Sequence, residues 1–339
     1  MRLRHVRTLA IVALSMLLCA CAPRLQPIGP TVTTPSIGDA GLVMDDGVTL
    51  PLRHWPAEGE PKAVILAVHG FNDYSQAFDI PAGQWAGYGI ETYAYDQRGF
   101  GHTDYRGLWA GDDRMQKDLL EASRLIAAKH PGLPFYILGE SMGGAVVMSA
   151  ATDGNPPRAD GLILVAPAIW GRQSMGPVAS GALWFFAHTI PWYTVTGQGL
   201  HIQPSDNHEM LEKLFRDPVV IKATRIDTIY GLVGLMDRAW AAAPNMPART
   251  LVLYGEHEQV LDDDAVAAML HRLPRGPSAP RVALYAHGYH MLLRDLNGDV
   301  VNRDIAHWIL DPGAPLPSGA DALAEKMLAK PKAGLAAVN

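Results

Sequence analysis

The chain has 339 residues, 48% of them hydrophobic and 18% charged, enough apolar material for one large domain or two small ones and too much for a chain disordered throughout. Its formal net charge is −6, and loss of three leader arginines takes it to −9, so no nucleic-acid partner is expected.

Arg2, Arg4 and Arg7 precede an apolar run over 9–18 and then small residues, the order of an export signal over residues 1–20. The run is too short to predict a permanent membrane-spanning helix. It ends in Leu18-Cys19-Ala20-Cys21, which resembles the lipobox of bacterial lipoproteins. The resemblance implies cleavage before Cys21 and acylation of its thiol. Cys19 fits less well, because Leu18 would then stand where the pattern wants a small residue. One cysteine survives cleavage, so no internal disulfide is expected, and a lone cysteine at the start suits an anchor. Several acyl chains, as the resemblance implies, would hold firmly, at about 0.8 kcal/mol for each buried methylene. Ala22, rather than aspartate, implies the outer membrane, with the expected location the cell envelope and the domain facing the periplasm. A plain secretory signal is the alternative.

Residues 21–40, rich in Pro, Thr and Gly, read as the lipidated N-terminus and a tether, so the domain is expected over 41–311. Asp46-Gly47, flanked by 42–44 and 48–55, predicts a hairpin. Residues 63–68 are a continuous apolar run, a buried strand ending at His69-Gly70-Phe71. The stretch 75–88 is helical in part, with a break expected at Pro81, and 91–96 is a further strand. Apolar positions Met115, Leu119, Leu120, Leu125 and Ile126 predict an amphipathic helix over 113–130.

The stretch 134–150, PFYILGESMGGAVVMSA, joins a strand to a helix through Gly139-Glu140-Ser141-Met142-Gly143 with no polar loop between. That context gives G-x-S-x-G its meaning: a strained turn lifts the serine above the sheet edge, and the glycines allow strand and helix to approach. Ser141 is the candidate nucleophile. The backbone N–H of Met142, next in the chain, is a candidate oxyanion donor. A strand follows over 161–166. From 168 to 245 helical patterns run without a convincing strand, and the aromatic stretches 182–186 and 190–193 lie within them. An insertion of this size is expected to be a functional cap, with many of its aromatic residues also serving as core. Strands over 251–255 and 282–286, a closing helix over 300–310 and a tail over 312–339 with one short helix at 321–330 complete the chain. Strands alternating with helices predict an α/β fold with a mostly parallel sheet covered on both faces.

A serine needs a base, and the base a carboxylate that fixes its tautomer, in the chain order Ser, acid, His. After the strand 251–254 stand Glu256 and Glu258, with Asp262, Asp263 and Asp264 close behind; after 282–286 stand His287 and His290. The three aspartates also suit the acidic first turn of a helix running to Leu270.

These residues together resemble an α/β-hydrolase of the monoacylglycerol lipase and lysophospholipase group. The resemblance is carried by His69-Gly70-Phe71, Asp96-Gln97-Arg98-Gly99-Phe100-Gly101-His102-Thr103, Gly139 to Gly144, Arg216-Asp217-Pro218 and His290-Met291-Leu292, and covers roughly 46–310. It implies Glu258 as the acid, where most relatives have aspartate, with Asp262 or Asp263 as fallback; His290 as the base; and the backbone N–H of Phe71 as the second oxyanion donor. Glu256 reads as a solvated strand-end charge. His69 is expected to brace its loop, and Asp96 and Arg98 to hold theirs together; His102 is left unassigned. Thirteen histidines show no metal-ligand spacing, so no metal and no cofactor are expected.

The expected reaction is acyl transfer to water. The cap and the anchor favour a long-chain ester such as a monoacylglycerol or lysophospholipid, with a lipid or small-ester substrate, the membrane as partner and the oligomeric state open. The alternatives are a short-chain esterase, an aminopeptidase using Glu209, Glu212 or Asp237 to cage an amine, and an envelope lipoprotein without catalysis.

Overall fold

Runs such as Ala63-Val64-Ile65-Leu66-Ala67-Val68 have no polar face, so they are stable only where both faces of a sheet are covered. The computed structural model describes residues 22–199, 202–276 and 279–329. The expected export signal, Cys21 and the end of the tail lie outside the described residues.

The strands are β1 (Ser36–Gly38), β2 (Gly41–Val43), β3 (Thr49–Leu50), β4 (Leu52–Trp55), β5 (Ala63–Val68), β6 (Ile90–Tyr95), β7 (Phe135–Glu140), β8 (Gly161–Val165), β9 (Thr194–Val195), β10 (Thr224–Arg225), β11 (Thr250–Gly255) and β12 (Arg281–Tyr285). Seven of them form the main sheet in the order β12-β11-β8-β7-β5-β6-β4, parallel except for β4, which pairs antiparallel with β6. The α-helices are α1 (Asp79–Ala86), α2 (Asp112–Lys129), α3 (Met142–Ala151), α4 (Arg172–Thr189), α5 (His208–Arg216), α6 (Ile226–Ala242), α7 (Asp263–Arg272), α8 (Gly298–Leu310) and α9 (Ala320–Leu328).

Alternation along β5 divides the core in two. Val64, Leu66 and Val68 pack with Leu119, Met142 and Val146 on one face. Ile65 and Ala67 pack with Phe78, Trp85, Ile305 and Trp308 on the other. Both faces of the centre are therefore dry, and the α/β fold expected from the alternation is the fold observed.

Three local expectations are corrected. The helix after β5 runs through Pro81, because that proline falls in the first turn, where its missing N–H has no intrahelical acceptor to lose. The second arm of the Asp46-Gly47 hairpin divides at Pro51: β3 pairs with β2, and β4 leaves to become the edge of the main sheet. Residues 22–40 are no free tether. Gln26 donates its backbone N–H to Trp109 O (2.9 Å) and its side-chain amide to Leu108 O (2.8 Å), Thr31 bonds Asp45 (2.5 Å), and β1 pairs with β2. Backbone groups that a proline-rich segment cannot pair internally are satisfied by the domain, whose packing thus begins near Arg24 rather than Gly41.

The insertion between β8 and β11 holds α4, α5 and α6 together with the short antiparallel pair β9–β10, two strands that hydrophobic patterning did not reveal. α6 buries Val233, Leu235, Met236 and Ala239. α4 buries only Ala187 among its own residues and is broken at Gly176-Pro177. Trp184, Phe185, Phe186, Trp192 and Tyr193 are 45–57% exposed, so these aromatic residues are surface and not core.

Candidate active site

The turn from β7 into α3 determines the site. Ser141 has φ 52° and ψ −115°, a backbone state that a non-glycine residue holds only when its surroundings enforce it. They do so at close quarters. A Cβ on Gly143 would lie 2.0 Å from Val68 O, and one on Gly139 would lie 2.5 Å from Gly143 O, so strand and helix meet only because both are glycine. Ser141 N–H donates to Val165 O (2.9 Å), and its carbonyl accepts from Ala168 N–H (2.9 Å).

The loops after β11 and β12 bring their side chains to this serine. His290 Nε2 lies 2.9 Å from Ser141 Oγ, and His290 Nδ1 lies 2.7 Å from Glu258 Oε2. Glu258 Oε1 accepts the N–H groups of Val260 (2.7 Å) and Leu261 (3.0 Å), so the carboxylate is pinned on both oxygens. An ionised partner at Nδ1 keeps the proton there and turns the Nε2 lone pair toward the hydroxyl. Burial disfavours the charged imidazole, but the Glu258 carboxylate overcomes it and holds the His290 pKa above the ordinary histidine value. Burial likewise penalises Glu258, yet His290 and the two N–H groups keep it below the ordinary glutamate value.

The other candidates are occupied elsewhere. Asp262 caps α7 by accepting from Ala265 N–H (2.9 Å), and Asp263 and Asp264 form that helix's first turn. Glu256 and His287 are exposed.

Met142 is the first residue of α3, where a backbone N–H has no intrahelical acceptor. Phe71 follows Gly70, at which a Cβ would stand 3.4 Å from Ser141 Cβ, so the 69–71 loop passes directly beside the serine. His69 is fully buried. Its Nε2 accepts Gln97 N–H (2.9 Å), its Nδ1 donates to Gly70 O (2.8 Å), and Gln97 Nε2 donates to His69 O (2.8 Å). Burial depresses the His69 pKa, as an accepting nitrogen requires.

Farther out, Asp96 accepts from Ser75 N–H (3.0 Å), Ser75 Oγ (2.5 Å) and His102 N–H (2.9 Å). Arg98 spans Asp46 (2.9 and 2.8 Å) and Asp118 (2.6 and 3.2 Å). His102 Nδ1 lies 3.2 Å from Asp96. Among the described residues no group of three or more His, Cys, Asp or Glu side chains is placed to hold a metal ion.

Residues 59–297 match the family model described as serine aminopeptidase, S33. The chain belongs to this family. Within it, the chain is 27% identical over 286 residues to a monoglyceride lipase of Mus musculus, covering 81% of this chain and 93% of that one. It is 22% identical to a monoacylglycerol lipase of Mycolicibacterium smegmatis, with 78% and 94% covered. Among solved structures, a soluble variant of the Saccharomyces cerevisiae monoglyceride lipase in complex with a substrate analogue superimposes with TM-score 0.66 at 19% identity, covering 85% of this chain and 98% of that one. A thermostable carboxyl esterase from Bacillus coagulans gives 0.64 at 20%, covering 78% and 94%. The fold is the α/β-hydrolase fold, and this family member is a hydrolase.

Several residues around the site carried no signal that sequence reasoning used. Asp73, Glu140, Arg294 and Asp295 are buried charges beside the three loops. Glu140 at the end of an apolar strand and Arg294 after Met291-Leu292-Leu293 could have been found, since a charge embedded in an apolar run demands a buried partner. Asn72, at φ 64°, accepts from Ile221 N–H (3.0 Å) and donates to Thr224 Oγ1 (2.7 Å), bonding the cap to the 69–73 loop. Asp217 of the Arg216-Asp217-Pro218 stretch accepts from Tyr74 OH (2.7 Å).

Proposed function

We propose that the protein is a serine carboxylic-ester hydrolase acting on long single-chain esters of the monoacylglycerol type. Ser141 attacks the ester carbonyl, His290 takes its proton and returns it to the leaving alcohol, and Glu258 fixes the tautomer and balances the imidazolium. The N–H groups of Met142 and Phe71 stabilise the oxyanion. Water then hydrolyses the acyl-serine by the same route in reverse. One observation carries the proposal: the Glu258–His290–Ser141 line at 2.7 and 2.9 Å on a strained turn. The monoglyceride lipases and the monoacylglycerol lipase among the relatives support the ester class.

The aminopeptidase alternative needs free carboxylates around an amine. Glu209 is paired with Lys213 (2.8 Å), Glu212 with Arg216 and Asp237 with Arg172, the first two on the open face of α5, which argues for esters. Monoolein hydrolysis by the form starting after Cys21, with p-nitrophenyl butyrate and a prolyl-naphthylamide alongside, tests this. Cleavage of the butyrate with monoolein ignored would refute the long-chain assignment, and amide cleavage in preference to both would refute the ester class.

Acylation of Cys21 after removal of residues 1–20, with the outer membrane as destination, completes the proposal. The exposed aromatic cap is a surface suited to lipid. Arg24 N–H donates to Asp227 Oδ2 (3.2 Å), and Asp227 N–H in turn donates to Pro191 O (3.2 Å) beside Trp192. With only Ala22 and Pro23 between Cys21 and Arg24, the acyl chains would start within about 11 Å of that contact and hold the cap against the bilayer. Labelling with an alkyne fatty acid is expected for the full chain and not for Cys21→Ser; equal labelling of both would refute the anchor.

A further inference from the structure

Three loops that are separate in sequence must keep one geometry for the proposed chemistry: the loop carrying Phe71, the turn carrying Ser141 and the loop carrying His290. A single buried guanidinium touches all three. Arg294 lies four residues after His290. Its Nη1 donates to Asp73 Oδ2 (2.9 Å), two residues after Phe71, and its Nη2 to Glu140 Oε2 (3.3 Å), the residue immediately before Ser141. The three side chains are 7%, 8% and 3% exposed, so water does not screen them.

We infer that Arg294 is a positioning residue that holds the oxyanion loop, the nucleophile turn and the histidine loop in register through its bonds to Asp73 and Glu140. The physical reason lies in the charges. Asp73, in the loop after β5, and Glu140, at the end of β7, are two buried carboxylates, and the cation between them converts a repulsion into a link. Glu140 Oε1 has no partner among the described residues, so the bond from Arg294 to Oε2 is the one side-chain hydrogen bond shown for that carboxylate. Arg294 also reaches the cap, since its carbonyl accepts from Asn207 Nδ2 (2.9 Å). A lysine at this position would supply the charge without the fork that reaches both acids.

The inference rests on the proposed roles of Ser141, His290 and the oxyanion donors. Arg294→Lys, Arg294→Met and the charge-free Asp73→Asn/Glu140→Gln/Arg294→Met are compared with the wild-type chain for kcat, KM, the rate of fluorophosphonate labelling and the unfolding midpoint. Misplaced reacting groups are expected to lower kcat and the labelling rate together by about 10²-fold in both single variants, while KM moves by less than about threefold. The charge-free triple variant is expected to recover the midpoint but to remain at least about tenfold slow, because neutral side chains fill the space without fixing the loops. A folded triple variant, or a folded Arg294→Lys, turning over within about threefold of wild type would overturn the inference and leave Arg294 a stabilising residue only. Ser141→Ala, run in the same panel, tests the underlying assignment separately: retained labelling there sinks the nucleophile whatever the Arg294 variants do.

Discussion

Ser141 occupies a backbone state that costs a non-glycine residue on the order of 1–3 kcal/mol, and the cost is met by the packing that glycine at 139 and 143 allows. Gly143→Ala would drive a methyl group into Val68 O, so it is expected to displace the turn and lower kcat by about 10²-fold even where the protein folds; steady-state kinetics below the unfolding midpoint check this. At position 258 the side chain is one methylene longer than aspartate, and the N–H groups of Val260 and Leu261 take up that length by holding the carboxylate in place. Glu258→Gln keeps the shape and loses the charge, and should lower kcat by about 10⁴-fold through the wrong imidazole tautomer. The pH profile tests the same pair. Catalysis needs neutral His290, whose pKa stands above its ordinary 6.5, so activity should fall as pH drops through a value higher than that of a free histidine. In Glu258→Gln the residual activity should lose its acid limb to a lower pH, because burial then loses its main opponent and only the more weakly acting Glu140 still favours the imidazolium. An unmoved limb would show that Glu258 does not set the titration of His290.

The cap is fastened to the same loops that form the site. Met291 N–H donates to Pro204 O (2.9 Å), Ser205 Oγ to Asp295 Oδ1 (2.6 Å), and Ile221 N–H to Asn72 O (3.0 Å). Asp295 also accepts from Tyr289 N–H (2.7 Å), so one carboxylate joins the cap segment to the residue before His290. Ser205→Ala leaves that buried carboxylate one bond short and is expected to cost about 1–3 kcal/mol. Thermal unfolding measures it. By contrast α4 is sparsely buried, with Ala187 its one fully buried residue, so motion of the cap is expected first in α4. In the form starting after Cys21, replacing Trp184, Phe185 and Trp192 together by serine should leave hydrolysis of a soluble short ester within about twofold of wild type while weakening sedimentation with zwitterionic phosphatidylcholine vesicles at least about tenfold. Equal binding by both forms would remove the cap from the proposed membrane contact.

For the whole molecule, stability comes from two dry layers on either side of one sheet and from buried ion pairs at its edge. Trp85 is fully buried and donates to Asn302 O (3.1 Å), joining α1 to α8 across the outer layer. Trp85→Ala should cost roughly 3–5 kcal/mol, measured by denaturant unfolding. Arg98→Met strips a bidentate cation from Asp46 and Asp118; Arg114 still holds Asp118 (2.8 Å), so the loss falls mainly on Asp46 and should cost about 1–3 kcal/mol in the same unfolding measurement.

The sheet, its order of strands and helices, and the turn at Ser141 were legible in the chain because each rests on local pattern: unbroken apolar runs, a 3.6-residue period, and glycine where backbones touch. Proline told less than it promised, since the effect of Pro81 depends on its place in a helix and that of Pro51 on which sheet each half of the strand joins. Glu258 was set apart from Asp262 by resemblance and by the fit of the three aspartates to a helix's first turn; in the structure Asp262 is spent on a helix cap and Glu258 is aimed at His290. The docking of residues 24–40, the exposure of the cap's aromatic residues and the Asp73–Arg294–Glu140 link were beyond sequence reasoning. Each depends on which groups meet across loops distant in the chain, and a meeting of that kind is decided by tertiary packing, with no local periodicity to announce it.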